Sequence, residues 1–240
     1  TYSGSGASSV EGINFKAMKG QTIGVIGGTG SGKSSLVNLI PRLYDATQGE
    51  VLVDGVNVKD YDIEALRNKV GIVMQKAVLF KGTIRENMWM GKKGATDEQI
   101  DEALEISQSK EFVDSKQGRL DYVIEQGGKN LSGGQRQRLT IARAIVRKPD
   151  VLILDDSASA LDFATDAALR KAIRGMNNSP TVFIVSQRAA SLMYADLIIV
   201  LDDGQVAGMG THDELLANCE VYKEIYESQF KKADSEGGVA

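Results

Sequence analysis

Short apolar runs alternate with stretches of helical period along most of this chain, the pattern of strands and helices interleaved in an α/β fold. Residues 13–17 and 22–27 read as strands. A glycine-rich loop comes next, and Leu36, Val37, Leu39 and Ile40 then carry a helical pattern to about residue 43. Residues 50–58 predict a hairpin turning at Asp54-Gly55, and 70–74 another strand. Between Gln75 and Asp150 the pattern turns mostly helical, most clearly over 97–107 and 133–146. Three apolar strands follow at 151–154, 181–185 and 197–201, then a hairpin turning at Asp203-Gly204 and two short helices ending near residue 230. The tail, residues 231–240, is small and polar and is expected to be flexible. No internal repeat is visible.

Composition narrows the class. Of 240 residues, 42% are hydrophobic and 25% charged, a globular balance that excludes a disordered chain. The net charge of −4 and the lack of a long basic stripe argue against a nucleic-acid partner. The single cysteine, Cys219, cannot close an internal disulfide, which fits a reducing compartment. No apolar run approaches the ~20 residues that span a bilayer, and the polar start has none of the character of a signal peptide. The chain opens on Thr1, so the expectation is a fragment of a longer protein, with any membrane domain left behind or on another chain.

The chemistry begins at Gly27-Gly28-Thr29-Gly30-Ser31-Gly32-Lys33-Ser34, which fits G-x-x-x-x-G-K-[ST] between a predicted strand and a predicted helix. Glycines let successive backbone N–H groups converge on phosphate oxygens, and the helix start adds its dipole. Lys33 supplies charge to the β- and γ-phosphates, and the Ser34 hydroxyl, with Ser35 beside it, lies where a Mg²⁺ shell forms. Residues 151–155 then read Val-Leu-Ile-Leu-Asp, an apolar strand ending in an acid, the pattern of a Mg²⁺-orienting aspartate at Asp155.

Leu131-Ser132-Gly133-Gly134-Gln135 opens an arginine-rich helical stretch and forms a second anion-receptive helix start. With this motif the chain resembles the ABC ATPase family, whose signature is LSGGQ, and the likeness runs along nearly the whole chain. The resemblance implies a P-loop NTPase core, a mixed sheet flanked by helices, with an antiparallel β subdomain and a helical signature subdomain at about 76–148. The domain would span residues 1–230, with ATP and Mg²⁺ as cofactors. It implies that Tyr2 stacks on adenine, that residues 27–35 cradle the phosphates, and that Gln75 senses the γ-phosphate and couples to a transmembrane domain. Ser34, Gln75 and Asp155 would face Mg²⁺. Ser159-Ala160-Leu161-Asp162 resembles the D-loop. Ser132, Gly133, Gly134 and Gln135 would cover the γ-phosphate held by a second nucleotide-binding domain. Residues 78–87, 125–128 and 210–216 are similar to the exporter branch, which implies a place at the cytoplasmic face of the cell membrane.

Two positions depart from the family pattern. The acid after Asp155, usually a glutamate that polarises the attacking water, is Asp156, about 1.5 Å shorter in reach. A misplacement of about 1 Å can cost ~10²-fold in rate. The switch histidine expected after residues 181–186 is Gln187, whose amide can donate one hydrogen bond and carries no positive charge. The only histidine, His212, lies at a helix start far downstream and reads as an ordinary surface residue. Together these changes resemble the weakly hydrolysing half of a heterodimeric exporter, its intact LSGGQ serving a non-identical partner. The alternatives are a soluble ABC ATPase of DNA maintenance or translation, and a nucleotide sensor that never turns over.

Overall fold

The computed structural model describes residues 9–157 and 160–236. The elements run β1 (Thr22–Gly27), α1 (Lys33–Val37), β2 (Leu52–Val53), β3 (Val56–Asn57), α2 (Ile63–Lys69) and β4 (Val70–Val73). Then come β5 (Gly82–Thr83), α3 (Ile84–Trp89), α4 (Asp97–Ile106), α5 (Lys110–Asp114), β6 (Val123–Ile124) and α6 (Gly133–Ile145). The order closes with β7 (Val151–Asp155), α7 (Phe163–Arg174), β8 (Thr181–Val185), β9 (Leu197–Asp202), β10 (Gln205–Gly210), α8 (His212–Asn218) and α9 (Glu220–Glu236). Packing divides the chain into two compact units, residues 1–67 with 181–240, and residues 68–180.

In the first unit four strands lie in the order β10-β9-β1-β8. β1 pairs in parallel with β8 and β9, Ile23 facing Phe183 on one side and Leu197 on the other. β10 runs antiparallel to β9, with a register shift between Val206 and Gly208. This is a mixed sheet, and every residue of β1 and β8 is buried, which is why both strands are continuous apolar runs. Asp54 and Gly55, and again Asp203 and Gly204, have positive φ, the two-residue turn whose twist suits adjoining antiparallel strands. Both hairpins therefore turn where the sequence predicts.

Three elements differ from the sequence reading. Residues 13–17 carry no ladder among the described residues; Phe15 anchors the segment instead, its ring edge-on to Phe183 at 6.2 Å. α1 ends at Val37 rather than near 43, because Pro41 disfavours helical geometry in the residue before it. The amides of Leu39, Ile40 and Arg42 bond three residues back, to Leu36, Val37 and Leu39, tightening the chain into turns. α9 continues through Glu236, into the stretch whose composition marks a tail.

The second unit pairs β4 with β7 in parallel, Val70 opposite Val151 and Val73 opposite Leu154. α6 packs on β4, α3 and α4, burying Leu139, Ile141, Ala142 and Ile145. Two of its arginines, and Arg147 just past its end, hold neighbouring backbone together. Arg138 donates to the Gln108 carbonyl at 2.8 Å, Arg143 to Val78 at 2.9 Å and Arg147 to Gly91 at 2.9 Å. Burial lowers the pKa of Arg143 and Arg147 from the ordinary guanidinium value. β5 and β6 form a two-residue antiparallel pair.

Candidate nucleotide-binding site

The phosphate loop of the first unit is shaped by contacts that exclude side chains. A Cβ at Gly27 would lie 2.1 Å from the Leu201 carbonyl oxygen and 2.5 Å from Ser31 Oγ. At Gly32, where φ is +93°, it would lie 2.5 Å from Val10 Cγ1 and 2.6 Å from the Ser9 oxygen. Gly28, Thr29, Gly30 and Ser34 are exposed, whereas Lys33 is buried, only 9% exposed. Lys33 Nζ donates to the carbonyl oxygens of Gly27 at 2.9 Å and Gly28 at 2.6 Å. Ser31 Oγ is buried with no hydrogen-bond partner among the described residues. A buried cation and an orphaned hydroxyl in a glycine loop fit a ligand rich in anionic oxygens, as a polyphosphate is. Ser35 is half-buried in the first turn of α1.

Gln187 belongs to the same unit. The Ser186 N–H donates to the Val25 carbonyl of β1 at 3.1 Å, so the loop after β8 departs beside the strand that feeds the phosphate loop. The side chain of Gln187 is exposed. Its carbonyl accepts from Gln229 Nε2 of α9 at 2.7 Å, a contact with no signal in the sequence pattern.

In the second unit the parallel register of β4 and β7 places Gln75, just past β4, beside the acids that end β7. Gln75 Nε2 donates to Asp156 Oδ2 at 3.1 Å. Asp155 is buried at 6% exposure. Asp156 has φ +45°, a left-handed backbone that aspartate tolerates better than most side chains. Ser157 Oγ beside it is buried and unpartnered among the described residues. Downstream of Gln75, the fully buried Asn87 braces the chain. Its amide accepts from the Phe80 N–H and donates to the carbonyls of Phe80 and Thr83, each at 3.0 Å. Residue pattern alone gives Asn87 no such role.

Ser132 caps α6. Its Oγ accepts from the Gln135 N–H at 3.2 Å, and Gln135 Oε1 accepts from the Ser132 N–H at 3.1 Å, a reciprocal capping box. A Cβ at Gly133 would meet nothing nearer than 3.9 Å, and one at Gly134 would touch the Ala160 oxygen at 3.4 Å. The signature therefore lies against the segment that leads to Asp162. Asp162 in turn caps α7, accepting from the Thr165 N–H at 2.9 Å and its hydroxyl at 2.8 Å. The Thr165 amide chiefly holds the Asp162 carboxyl below its ordinary range. Tyr2 and Ser159 lie outside the described residues.

Among the described residues no group of three His, Cys, Asp or Glu side chains is set to hold a metal. Mg²⁺ asks for none, because it keeps waters and phosphate oxygens and takes one or two protein ligands. The exposed Ser34 hydroxyl in the first unit, and by itself the buried Asp155 carboxylate in the second, are each of a chemistry Mg²⁺ accepts.

The model of the family described as ABC transporter matches residues 10–159. The chain belongs to the ABC transporter family. An uncharacterized ABC transporter ATP-binding protein of Bacillus subtilis, YfiB, is 45% identical over 224 residues, covering 93% of this chain and 39% of the relative. A putative multidrug export ATP-binding/permease protein of Staphylococcus aureus is 39% identical over 228 residues, covering 95% of this chain and 39% of that protein. A bacterial Atm1-family ABC exporter, solved with ATP bound, matches with a TM-score of 0.89 and 31% identity over 95% of this chain and 40% of its own. The chain is thus an ABC transporter nucleotide-binding domain related to exporter ATP-binding proteins. It spans about two-fifths of the length of the curated relatives it matches. Among its described residues no helix is long and apolar enough to cross a membrane.

Proposed function

We propose that this chain is the ATP-driven motor domain of an exporter, working at the cytoplasmic face of the membrane against a transmembrane domain. It pairs with a second, non-identical nucleotide-binding domain. Residues 1–230 form the domain, with about 76–148 its signature subdomain. ATP is held at residues 27–35 with Tyr2 on the adenine, and Mg²⁺ is met by Ser34, Gln75 and Asp155. Asp162 speaks to the partner's site. The exporter names of the relatives support the transport reading.

The observation that carries the finer reading is the carboxylate after Asp155. Asp156 is one carbon short of glutamate and already accepts from Gln75 at 3.1 Å. It is therefore poorly reached toward an attacking water, and Gln187 brings no positive charge to the γ-phosphate. The chain's own site binds ATP and turns it over slowly. Ser132, Gly133, Gly134 and Gln135 serve the partner's productive site.

Two variants of the assembled transporter test this division. Gly133→Asp puts a carboxylate where a Cβ has open space, so the domain itself should tolerate it. Like charge at the γ-phosphate of a closed site is costly, and steady-state hydrolysis should collapse. Asp156→Asn touches only the slow site and should leave most hydrolysis. The reverse outcome would show that the two sites have exchanged roles.

A further inference from the structure

The loop that follows β8 is bracketed by one side chain from the far end of the chain. Gln229, on α9, donates from Nε2 to the Gln187 carbonyl at 2.7 Å and accepts at Oε1 from the Ala189 N–H at 2.9 Å. One amide thus closes over both ends of Arg188. Two further backbone N–H groups here are bonded: Ser186 donates to the Val25 carbonyl of β1 at 3.1 Å, and Arg188 to Ser186 Oγ at 2.9 Å. Ala189 is fully buried, while the Gln187 side chain is exposed. The fold therefore grips the backbone of the loop and leaves its reading side chain out in solvent.

The chemistry of the bracket is specific. A carbonyl on one side and an N–H on the other demand a donor and an acceptor on one planar group, which an amide supplies. Glutamate could accept from Ala189 and would present an oxygen to the Gln187 carbonyl. Lysine could donate and has nothing with which to accept. A hydrocarbon of the same length would leave both backbone groups without this partner.

We infer that Gln229 is a positioning residue for the nucleotide switch, setting the backbone from which Gln187 reaches the γ-phosphate and joining the C-terminal helix to that reading. This rests on the role proposed above for Gln187, and it makes α9 an input to the site: whatever shifts the helix shifts the loop. Gln229 touches no nucleotide in this scheme. Its effect is confined to the difference between ATP and ADP, because the γ-phosphate is the only group Gln187 reads.

The test measures affinities of fluorescent N-methylanthraniloyl ATP and ADP for the 240-residue chain, with Mg²⁺, in Gln187→Ala, Gln229→Met and the double variant. Gln229→Met keeps the length of the side chain and removes both polar atoms, and Gln229→Glu keeps the acceptor alone. Hydrogen bonds to charged groups are strong enough that Gln187→Ala should cut the preference for ATP over ADP at least about threefold. Gln229→Met and Gln229→Glu should cut it by a similar factor, with ADP affinity unchanged, and the double variant should lose no more than Gln187→Ala alone. If Gln187→Ala lowers the preference and both Gln229 variants retain it, the positioning role is wrong. If Gln187→Ala itself changes nothing, the γ-phosphate reading fails first and takes this inference with it. A fall in ADP affinity equal to that for ATP would mark Gln229 as a general packing residue and overturn the assignment.

Discussion

Replacing Lys33 by methionine separates what the lysine does for its own loop from what it does for a nucleotide. Lys33 is 9% exposed, and its ammonium donates to the carbonyls of Gly27 and Gly28 at 2.9 and 2.6 Å. Hydrogen bonds to charged groups net about 1.5–3 kcal/mol each, but the two share one donor whose burial has its own cost. A loss of about 2 kcal/mol for Lys33→Met is therefore the working figure. In a domain of this size each kcal/mol moves the melting temperature by about 2–4 °C, so the variant alone should melt about 4–8 °C lower.

Mg-ATP then adds a second difference. Ligand at about 100 times its Kd stabilises the folded state by about 2.7 kcal/mol, an upward shift of roughly 5–10 °C. The wild-type chain should show that shift and Lys33→Met almost none of it. Thermal melts of both proteins with and without Mg-ATP, backed by equilibrium denaturation, give all four numbers. An ATP-induced shift as large in the variant as in the wild type would show that the nucleotide is not held through this loop. A variant as stable as wild type without ATP would contradict the carbonyl contacts.

Three further outcomes follow from local geometry. At Asp156, where φ is +45°, alanine pays about 1–2 kcal/mol for the left-handed backbone and glycine pays about 0.5–1 kcal/mol in the unfolded chain, so Asp156→Gly should be the more stable by roughly 0.5–1 kcal/mol in urea denaturation. The opposite order would place Asp156 outside the left-handed region. Ser132→Ala removes the acceptor for the Gln135 N–H and should cost about 1 kcal/mol with faster amide exchange at the start of α6, whereas Ser132→Asn should retain most of the stability. Tyr222, fully buried, has its hydroxyl pushed up to about 12 by desolvation, from an ordinary value of about 10. Because the folded pKa is the raised one, the stability is intact below pH ~10 and lost as pH rises toward the folded value, so Tyr222→Phe should move alkaline unfolding to higher pH.

How much of this was legible in the sequence depended on whether the information is local. β1, β8 and the two Asp-Gly hairpins stand where the residue pattern put them, because continuous burial and turn chemistry are written in adjacent residues. The loop from Gly27 to Ser34 was legible for the same reason. Residues 13–17 misled: their alternation is that of a half-buried strand, yet Phe15 packs its half-buried ring against Phe183 without a ladder. Short elements were missed where they rest on distant partners. β5 has two residues and needs Ile124 of β6 opposite Gly82. Asn87 and Gln229 look like ordinary polar helix residues until the carbonyls they serve, at positions 80, 83 and 187, are brought to them.

The pairing of Gln75 with Asp156 bears on how the site proposed to be slow should be probed. An oxygen of Asp156 is engaged by an amide donor, and that bond also fixes the side chain that leads out of β4. Removing the side chain would therefore disturb two things, the negative charge at this position and the placement of Gln75. Asparagine separates them. Its carbonyl oxygen can accept from Gln75 Nε2 as the carboxylate does, so the geometry of the loop survives while the negative charge is lost. Glutamate separates them the other way, keeping the charge and displacing the oxygen by about 1.5 Å. On the proposed reading, hydrolysis at this site is limited by reach and by the missing positive charge at Gln187, and Asp156→Glu helps only where the longer chain can release Gln75. That release must compete with a left-handed backbone which glutamate tolerates less well than aspartate. The backbone at Asp156 and the residue that occupies it are thus matched to each other, and a single substitution toward glutamate meets resistance from the fold before it meets the chemistry.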